Sequence, residues 1–561
     1  MPEESTRRSE ARAGNGQPSR LCLVLHAHLP FVRHPEHPRF LEEDWLFEAI
    51  FEVYLPLLDL LGRLGADRVP TPVTISISPT LAAMLDDPLL RRRFLLWLDG
   101  RERFLRAEKE RTRLVPPLQR LVDRYLGETA AARQVYCGRH RSDLLSSFAR
   151  IGNGVELTTT NATHGLLPLI GNRPELWRAQ IEVARDAFRT RFGRTPVTHW
   201  LSECGYAPGI DAELRRSGVR AFCLEEIAVR YARARPAYGA FAPVLSPGGA
   251  LVFPRDAVTS REIWAAGAGF PAAPEYRDFH HDAGWELEFD YLAPFFHGGG
   301  SRNPLAVHYH RVTGRGARKR LYEPEIAERL ARRHAAEFWR RRERQVDRLG
   351  LDRPAVITLP FDAELFGHWW YEGPIFLEEL FRWAARSDSL CLSTLEEAAA
   401  AERRVQRVDP VSSSWGEGGY FAFWLDPVND WIVGRVRRAG EQMVSLVGDV
   451  LSGKGPGAPV GAPSLERALG QLARELLLAQ SSDWPFILKT GVSSGYASSR
   501  VVEHLDAFSA LYDDLVRGRI SEQRLSAREE RTPIFAGIEW RHFASKSPEG
   551  RELGGPGADQ A

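Results

Sequence analysis

TLPFDAELFGHWWYEG, residues Thr358–Gly373, is the most informative stretch of this sequence. It continues an apolar strand that begins at Ala355, and it then places Asp362, Glu364 and His368 among five aromatic residues. A carboxyl group just past a strand end and crowded by aromatic rings is desolvated, which raises its pKa. Carboxyl groups beside aromatic faces are typical of sites that process sugars, where the acids transfer protons. The alternative is a buried strand followed by core aromatic residues, with Asp362 capping a helix.

A second stretch repeats this arrangement. Pro196–Pro208 has the sequence PVTHWLSECGYAP, in which residues 197–201 form a predicted short strand. Glu203 follows the end of that strand, beside Trp200 and Tyr206. Two units of strand, carboxyl group and aromatic residues in one chain predict a pair of carboxylates that face one cleft.

Polar residues also follow two earlier predicted strands. His26 and His28 come directly after the apolar strand Leu21–Leu25, and strand alternation places both on the same face. His164 follows a third predicted strand at residues 155–159. Two histidines on one side of a strand end can bind a metal ion, hydrogen-bond a polyhydroxylated ligand or serve only as structural residues. The sequence leaves these three alternatives open.

Apolar strands alternate with helical patterns along most of the chain, which predicts a parallel α/β sheet. The seven predicted strands span residues 21–25, 73–78, 155–159, 197–201, 219–224, 250–253 and 355–360. In a closed parallel barrel the catalytic groups lie at the carboxyl ends of the strands. The candidate residues that fall at such ends are His26, His28, His164, Glu203 and Asp362.

Length and pattern divide the chain further. Its 561 residues exceed what one core holds, so we expect two or three domains. The predicted units are a disordered tail at 1–20, a catalytic domain at 21–407 with a helical insertion at about 85–150, a helical domain at 408–545 and a disordered tail at 546–561. Residues 235–264 show little periodicity and are expected to form a long functional loop.

Composition narrows the function classes. The formal net charge of +1 gives no reason to expect a nucleic acid or an acidic membrane as partner. Five scattered cysteines without CxxC spacing indicate a reducing compartment and argue against a disulfide scaffold or a zinc knuckle. With no apolar signal segment at the start and no apolar run of 18 residues, the sequence predicts a cytoplasmic protein without a membrane span.

Five motifs occur along the chain in the order that is usual in glycoside hydrolase family 57. Through them the chain resembles that family, and within it the 1,4-α-glucan branching enzymes. The motifs are HAHLP (His26–Pro30), GVELTTTNATHGLLPL (Gly154–Leu169), WLSECGYAPG (Trp200–Gly209), LPFDAELFGHWWYEGP (Leu359–Pro374) and SSWGEGG…WLDP (Ser413–Pro427). SSDW at 481–484 is similar to the same subgroup. The resemblance covers about residues 21–520 and implies an incomplete (β/α)7 barrel with a helical insertion and a C-terminal all-helical domain.

The resemblance also implies roles for the two acids. Glu203 corresponds to the family's nucleophile and Asp362 to its general acid/base, in a retaining double displacement on an α-1,4-glucan. Retention requires the two carboxyl groups to be about 5–5.5 Å apart. In the branching reaction Asp362 then activates the C6 hydroxyl of an acceptor glucan, which forms an α-1,6 branch. The implied substrate-binding residues are His26, His28, His164, Trp200, Arg255, Trp285, Trp370, Trp415, Trp424 and Asp483.

We expect no cofactor and no metal ion, an α-glucan as the partner, and a monomer or weak homo-oligomer. Several positions depart from the family pattern: Phe241 stands where tyrosine is usual, and Pro254, Ala272 and Ala273 change two loop motifs. These changes leave the balance of transfer and hydrolysis open, because transfer requires that loops exclude water. The alternatives are an α-amylase-like hydrolase or 4-α-glucanotransferase of the same family, a metal-dependent deacetylase or mannosidase that uses the two histidines of the first strand, and a non-enzymatic glucan-binding protein.

Overall fold

The computed structural model describes residues 17–545, except 153, 266, 297–300, 315–317 and 456–461. The predicted tails at 1–20 and 546–561 therefore lie outside the described residues, apart from 17–20. Of these four, Ser19 and Arg20 belong to the first strand, so the predicted end of the N-terminal tail is too late in the sequence.

Ten strands form two five-stranded sheets within the described residues. In chain order they are β1 (Ser19–Ala27), β2 (Val73–Ile77), β3 (Val155–Thr158), β4 (Thr198–His199), β5 (Ala221–Leu224), β6 (Val244–Leu245), β7 (Leu251–Pro254), β8 (Val356–Asp362), β9 (Leu390–Leu392) and β10 (Gln406–Arg407). The first sheet has the order β3-β2-β1-β8, with β9 paired to β1, and the second has the order β10-β6-β7-β5-β4. Every pairing is parallel except that of β6 with β7, in agreement with the alternating sequence pattern.

Two isolated parallel bridges connect the sheets. Thr160 pairs with Trp200 just past β3 and β4, and Arg255 pairs with Thr358 between β7 and β8. The apolar residues of β1 are buried on both faces. Strands of a parallel sheet are near-continuous apolar runs because helices cover both sides of the sheet. Since neighbouring strands run in the same direction, their carboxyl ends lie along one edge of the linked sheets.

All seven predicted strands are present, whereas the sequence does not predict β6, β9 and β10. These three have only two or three residues each. Such short segments carry too little hydrophobic alternation to be recognised.

Helices connect the strands and form most of the C-terminal region. The α-helices before β8 are Asp44–Ala49, Leu55–Ala66, Pro79–Asp86, Pro88–Arg111, Pro116–Gln134, Leu144–Ala149, Leu167–Ile170, Pro174–Phe192, Ile210–Arg216, Glu226–Arg230, Ala257–Trp264, Ala283–Glu286, Phe289–Leu292 and Pro324–Leu349. Those after β8 are Gly373–Ala384, Leu395–Ala401, Asp430–Leu451, Pro463–Ala479, Asp483–Thr490, Ser494–Val516 and Glu522–Arg531. Six of them begin with proline, whose missing N–H costs nothing in the first turn of a helix. None of the helices in the described ranges is both long and apolar enough to cross a membrane.

The prediction of a long loop at 235–264 is wrong for its second half. That half contains β6, β7 and the helix Ala257–Trp264. The side chain of Asp256 caps the helix by accepting hydrogen bonds from the backbone N–H groups of Val258 and Thr259. The predicted strand at 250–253 corresponds to β7, whereas β6 and the helix are not recognised in the sequence because each is short and lies among proline and glycine residues.

Phe241 lies at the amino end of β8, far from the carboxyl edge. The backbone N–H of Val356 donates to the carbonyl oxygen of Phe241 at 2.9 Å. From Val356 to Asp362 the strand advances about 20 Å, at 3.3 Å per residue. The backbone of Phe241 therefore lies at the opposite end of β8 from Asp362, and the effect of this substitution on the balance of transfer and hydrolysis stays open.

The segment after β8 is held by close backbone packing and a buried charge pair. Gly367 has a φ of 131°, and a Cβ atom at this position would overlap the carbonyl oxygen of Glu52. Nδ1 of His368 lies 2.7 Å from Oε2 of Glu52, and Arg277 donates to Oε1 of the same carboxylate at 2.7 Å. The Arg277 and Glu52 side chains are 1% and 2% exposed. His368 thus has a structural partner in the core.

Replacing Arg277 with Met should lower the free energy of unfolding by about 3–5 kcal/mol, because it leaves the Glu52 carboxylate buried without its main counter-charge. Urea unfolding of the variant beside the parent protein measures this loss. Arg382→Met is the matched control: its partners Glu378 and Asp67 lie at the surface, so about 0–1 kcal/mol is expected. Equal losses in the two variants would contradict a buried charge pair at Arg277.

Candidate active site

Three residues at the carboxyl edge of the sheets have a left-handed backbone. Glu203, which follows β4, has a φ of 59°, Cys204 has a φ of 49° and His164 has a φ of 59°. Residues other than glycine rarely adopt this conformation, which costs of the order of 1–3 kcal/mol each. Backbone strain of this kind clusters where function fixes the position of a side chain. The turn after β4 therefore makes Glu203 a candidate functional residue.

The Glu203 carboxylate accepts two hydrogen bonds from the C-terminal part of the chain. The indole Nε1 of Trp415 donates to Oε2 at 2.7 Å, and the hydroxyl of Ser482 donates to Oε1 at 2.8 Å. The backbone N–H of Trp415 also donates to the carbonyl oxygen of Glu203 at 2.9 Å. Donors to a carboxylate favour its charged form. The C-terminal region thus completes a site that the strands begin.

A chain of hydrogen bonds leads from Ser482 to β2. Nδ1 of His164 lies 2.8 Å from the Ser482 hydroxyl, and the Nε2 atoms of His164 and His26 are 2.9 Å apart. Nδ1 of His26 lies 3.2 Å from the hydroxyl of Ser76. Because Ser482 donates to Glu203, its oxygen accepts from Nδ1–H of His164. His164 then accepts at Nε2 from His26, which accepts at Nδ1 from Ser76, so each ring has one defined tautomer.

Both rings of this chain are neutral. Burial lowers the pKa of His26 and of His164 well below the usual value for histidine. A proton added to Nε2 of His164 would place two donors face to face between the Nε2 atoms, and one added to Nδ1 of His26 would displace the hydrogen bond from Ser76. The hydrogen-bond directions of this chain therefore require both histidines to be neutral.

His28 lies beside the same rings and pairs with Asp483. Its Nε2 is 3.0 Å from Oδ2 of Asp483, and its Nδ1 is 2.9 Å from the hydroxyl of Ser78. Its ring stacks on His164, with centroids 3.8 Å apart. Burial acts to raise the pKa of Asp483, but the charge and hydrogen bond of His28 outweigh it and hold the pKa at about 2. Asp483 is therefore ionised at neutral pH.

Asp362 is the last residue of β8 and pairs in register with His26 of β1. Its side chain does not cap the turn that follows, so the capping alternative is wrong. Burial raises the pKa of Asp362 well above its usual value, and the charges of Glu364 and Asp483 act in the same direction, against Arg255. The surroundings of Asp362 therefore favour its protonated form.

The two acids differ in which protonation state their surroundings favour. The pKa of Glu203 is raised to about 7, chiefly by burial and also by the charge of Asp362, while the hydrogen bonds from Trp415 and Ser482 lower it. Within the described part of the chain, no comparable donor reaches the carboxyl group of Asp362. When the pair shares one proton, Asp362 holds it and Glu203 carries the charge.

Seven of the ten predicted substrate-binding residues lie in this cluster with Glu203: His26, His28, His164, Trp200, Arg255, Trp415 and Asp483. The rings of Trp200 and Trp415 have centroids 5.1 Å apart, and Trp200 stacks on His26 at 5.2 Å. The guanidinium carbon of Arg255 lies 5.7 Å from the ring of Trp415. Arg255 also donates to Glu225 at 2.8 Å, which fixes its position beside the indole.

Two other predicted stacking residues are enclosed in the core. Trp370 is 1% exposed and packs on Phe376 and Tyr276, with ring centroids 4.9 and 5.5 Å away. Trp424 is 2% exposed. Like Trp200, which is 1% exposed, these two rings present almost no surface to a sugar in this structure, so their role in substrate binding stays a prediction. Trp285 is 52% exposed, and its role stays a prediction.

The sequence analysis gives no role to Ser482 or Ser76, and it names Glu364 only as a neighbour of Asp362. Ser482 lies inside the SSDW motif, so that motif carried the signal for it. Ser76 is one of two polar residues in a buried strand, the other being Thr74, which is a weak signal on its own. Glu364 accepts hydrogen bonds at Oε1 from the hydroxyl of Tyr54 and from the backbone N–H of His28. It supports the strand end that carries the histidines.

The three active-site histidines also form a possible donor set for a metal ion. His26, His28 and His164 each offer a ring nitrogen, and the three atoms lie within 4.8 Å of one another. Three imidazoles are the ligands of one class of catalytic zinc site. An ion between these rings would replace the hydrogen bond between His26 and His164 and the contact of His28 with Asp483. The metal alternative therefore competes with a network in which each ring already has partners.

Two family models match successive parts of the chain. The sequence model of glycosyl hydrolase family 57 matches residues 22–411. A second model, described as 1,4-alpha-glucan branching enzyme, C-terminal, matches residues 436–543. The second range includes Ser482 and Asp483, which reach the two acids from the helical region.

Curated relatives and solved structures cover nearly the whole chain. A 1,4-alpha-glucan branching enzyme of Thermococcus kodakarensis is 30% identical over 94% of this chain and 79% of its own length. A probable 1,4-alpha-glucan branching enzyme of Mycobacterium tuberculosis is 29% identical over 90% of this chain and 93% of its own length. The crystal structure of the alpha-amylase AmyC from Thermotoga maritima has a TM-score of 0.86 and 35% identity over 95% of this chain and 100% of that one. The crystal structure of the GH57-type branching enzyme from Pyrococcus horikoshii has a TM-score of 0.82 and 29% identity over 95% of this chain and 98% of that one. The chain belongs to glycosyl hydrolase family 57.

Proposed function

We propose that this protein is a 1,4-α-glucan branching enzyme with a retaining mechanism. The observation that carries the proposal is the acid pair, in which hydrogen bonds favour ionised Glu203 and burial favours protonated Asp362. A nucleophile and a proton donor of this kind are what retaining glycoside chemistry needs. The relatives named branching enzymes, and the match of the C-terminal model at residues 436–543, support transfer as the outcome.

In the first step, a carboxylate oxygen of Glu203 attacks the anomeric carbon of an α-1,4-linked glucose. Asp362 donates its proton to the oxygen of the breaking bond, and the shortened chain leaves with a new hydroxyl group. Trp415 and Ser482 hold the carboxylate in place before the attack. The glycosyl ester on Glu203 is neutral, so the negative charge now resides on Asp362.

In the second step, Asp362 acts as the base. It takes the proton of a C6 hydroxyl on an acceptor glucan, and that oxygen attacks the anomeric carbon and releases Glu203. The product is an α-1,6 branch, and both acids return to their starting protonation states. Ionised Asp483 offers acceptor oxygens for hydroxyl groups of the bound sugar, while neutral His26 and His164 hold Ser482 beside the Glu203 carboxylate.

We also infer that the seven predicted strands close an incomplete (β/α)7 barrel. The pairings and the two bridges give a ring of β1, β2, β3, β4, β5, β7 and β8 that returns to β1. The helical insertion at about 85–150 corresponds to the helices Pro88–Arg111 and Pro116–Gln134 between β2 and β3. The catalytic domain then begins with β1 at Ser19 and extends to about residue 407, and the helical domain spans 408–545. The five free cysteines favour a reducing compartment, and hence the cytoplasm.

Incubation with amylose tests the proposed function. A branching enzyme should abolish the iodine colour with little gain in reducing ends, because each cleavage is followed by a transfer. Debranching of the product should then release short chains. A large rise in reducing ends without new branches would instead mean a hydrolase, and it would overturn the proposal.

An α-amylase is the second candidate function. The similarity to the alpha-amylase AmyC from Thermotoga maritima supports it, because the two proteins are 35% identical and the match covers 100% of the AmyC chain. The two functions use the same first step and differ in whether water or a glucan hydroxyl attacks the ester on Glu203. Water is excluded only if the acceptor and the loops around Trp415 fill the cleft. The amylose assay with both readouts distinguishes the two candidates.

Trp415→Phe should move the acid limb of the kcat/KM profile to higher pH. The indole N–H stabilises the charged form of Glu203, so its loss raises the pKa of that carboxyl group. The reaction needs ionised Glu203, and activity is therefore lost at a higher pH as the medium is acidified. A hydrogen bond to a charged group is worth about 1.5–3 kcal/mol, or about one to two pKa units.

Trp383→Phe is the control for this pH shift. Trp383 lies on the helix Gly373–Ala384 beneath Arg340, whose guanidinium carbon is 4.9 Å from the ring. Its replacement should leave the acid limb in place. An unmoved acid limb in Trp415→Phe would mean that Glu203 ionisation does not set this limb.

A further inference from the structure

A second group of metal-ligating side chains lies outside the cluster around Glu203. His281, Glu286 and His310 each offer one ligand atom, and these atoms lie within 4.8 Å of one another. Nδ1 of His310 is 3.0 Å from Oε2 of Glu286, and Nδ1 of His281 contacts Oε1 of the same carboxylate. Two imidazole nitrogens and a carboxylate oxygen form a known three-ligand set for zinc.

The backbone places the two histidines side by side. Asp282 and His308 form an antiparallel bridge, and the backbone N–H of Asp278 donates to the carbonyl oxygen of His310 at 2.9 Å. The segment that carries His281 therefore pairs with the segment that carries His310. A ligand set built on paired segments needs little reorganisation when an ion binds.

Glu286 is anchored to the same frame by Asp282. It is the last residue of the helix Ala283–Glu286, whose first turn is capped by the Asp282 carboxylate. The same carboxylate accepts hydrogen bonds from the backbone N–H groups of residues 305 and 307 at 2.8 and 3.0 Å. All three ligands are therefore held relative to one another by backbone pairing and a shared cap.

The surroundings of the three side chains also suit a bound ion. Oδ2 of Asp278 lies 3.9 Å from Nε2 of His281, the ring nitrogen that does not face Glu286. An outer carboxylate on that side orients a ligating imidazole. The side chains of His281, Glu286 and His310 are 35%, 25% and 26% exposed, so an ion can enter and water can complete its coordination.

We propose that His281, Glu286 and His310 bind one divalent transition-metal ion of the zinc class. The ligands are Nδ1 of each imidazole and one oxygen of Glu286. Each ring then carries its proton on Nε2 instead of Nδ1, and in His281 that nitrogen faces Asp278. The ion links a helix end to a paired strand segment, so it stabilises the folded protein. The same helix carries the exposed Trp285, whose ring the ion would hold in place.

Zinc titration of the full chain after treatment with a chelator tests this site. The variants are His281→Asn combined with His310→Asn, and His542→Asn as the control. His542 is a matched residue because its Nε2 lies 2.9 Å from Oδ2 of Asp186 at similar exposure, without a third ligand among the described residues. The parent and His542→Asn should bind one equivalent of zinc more than the double variant, and zinc should raise the Tm by a larger amount in those two proteins.

Two further variants separate this site from the active-site histidines. Glu286→Gln should lower the affinity for this equivalent of zinc at least tenfold. The substitution keeps the size of the side chain, so folding is preserved. His164→Asn should leave that equivalent unchanged. Equal zinc binding by the parent and the double variant would overturn the proposal, and so would a loss confined to His164→Asn.

Discussion

Glu203→Gln should lower the turnover of amylose by about a thousandfold or more, while glucan affinity changes by no more than about threefold. The amide oxygen of glutamine can still accept a hydrogen bond from Ser482. Its NH2 group, however, meets the indole N–H of Trp415, and an amide does not attack an anomeric carbon. No glycosyl ester forms, whereas the residues that bind sugar hydroxyls remain. Initial rates on amylose and calorimetric binding of a maltooligosaccharide measure the two quantities.

Glu364→Gln is the control for this prediction. Glu364 is also a buried carboxyl group near the site, and burial raises its pKa to about 7. Its Oε1 accepts from the Tyr54 hydroxyl and from the backbone N–H of His28, and an amide oxygen can accept the same bonds. Activity should stay within about tenfold of the parent. If Glu203→Gln kept more than a tenth of the parent activity, the assigned nucleophile would be wrong.

Asp362→Asn should have the second largest effect, and it should depend on the leaving group. On amylose the rate should fall by about a hundredfold to ten-thousandfold, the usual contribution of a general acid. An α-maltosyl fluoride needs no proton on its leaving group, so its first step should be much less affected. The second step still lacks a base, and the glycosyl ester on Glu203 should accumulate. A burst of fluoride followed by slow turnover measures both steps.

Glu203→Gln provides the contrast for the fluoride experiment. It should give no burst with either substrate, because the first step itself needs the nucleophile. Equal loss on amylose and on the fluoride in Asp362→Asn would mean that Asp362 is not the proton donor.

The sequence is sufficient to locate both acids and the seven main strands. Glu203 and Asp362 stand out because each follows an apolar run and is surrounded by aromatic residues, which is a local pattern. His26 and His28 are found in the same way, because strand alternation places them on one face. These features depend only on neighbours in the chain, so they can be predicted without coordinates.

Contacts between distant segments could not be predicted. Ser482 donates to Glu203 across 279 positions of sequence, and nothing near either residue specifies that pairing. The position of Phe241 beside the start of β8 is another case, because it depends on backbone pairing with a distant strand. Trp369 and Trp370 are adjacent tryptophans in the same aromatic stretch, yet the first is 40% exposed and the second 1%. The direction of each ring is set by packing after the strand has ended.

The most direct test of the central claim is the mass of Asp362→Asn after brief exposure to α-maltosyl fluoride. We predict one added maltosyl group on the tryptic peptide 195–215, which contains Glu203, with fragmentation placing it on that residue. The double variant that also carries Glu203→Gln should gain no mass. A maltosyl group on a different residue, or continued release of fluoride without any labelled protein, would contradict a glycosyl ester on Glu203.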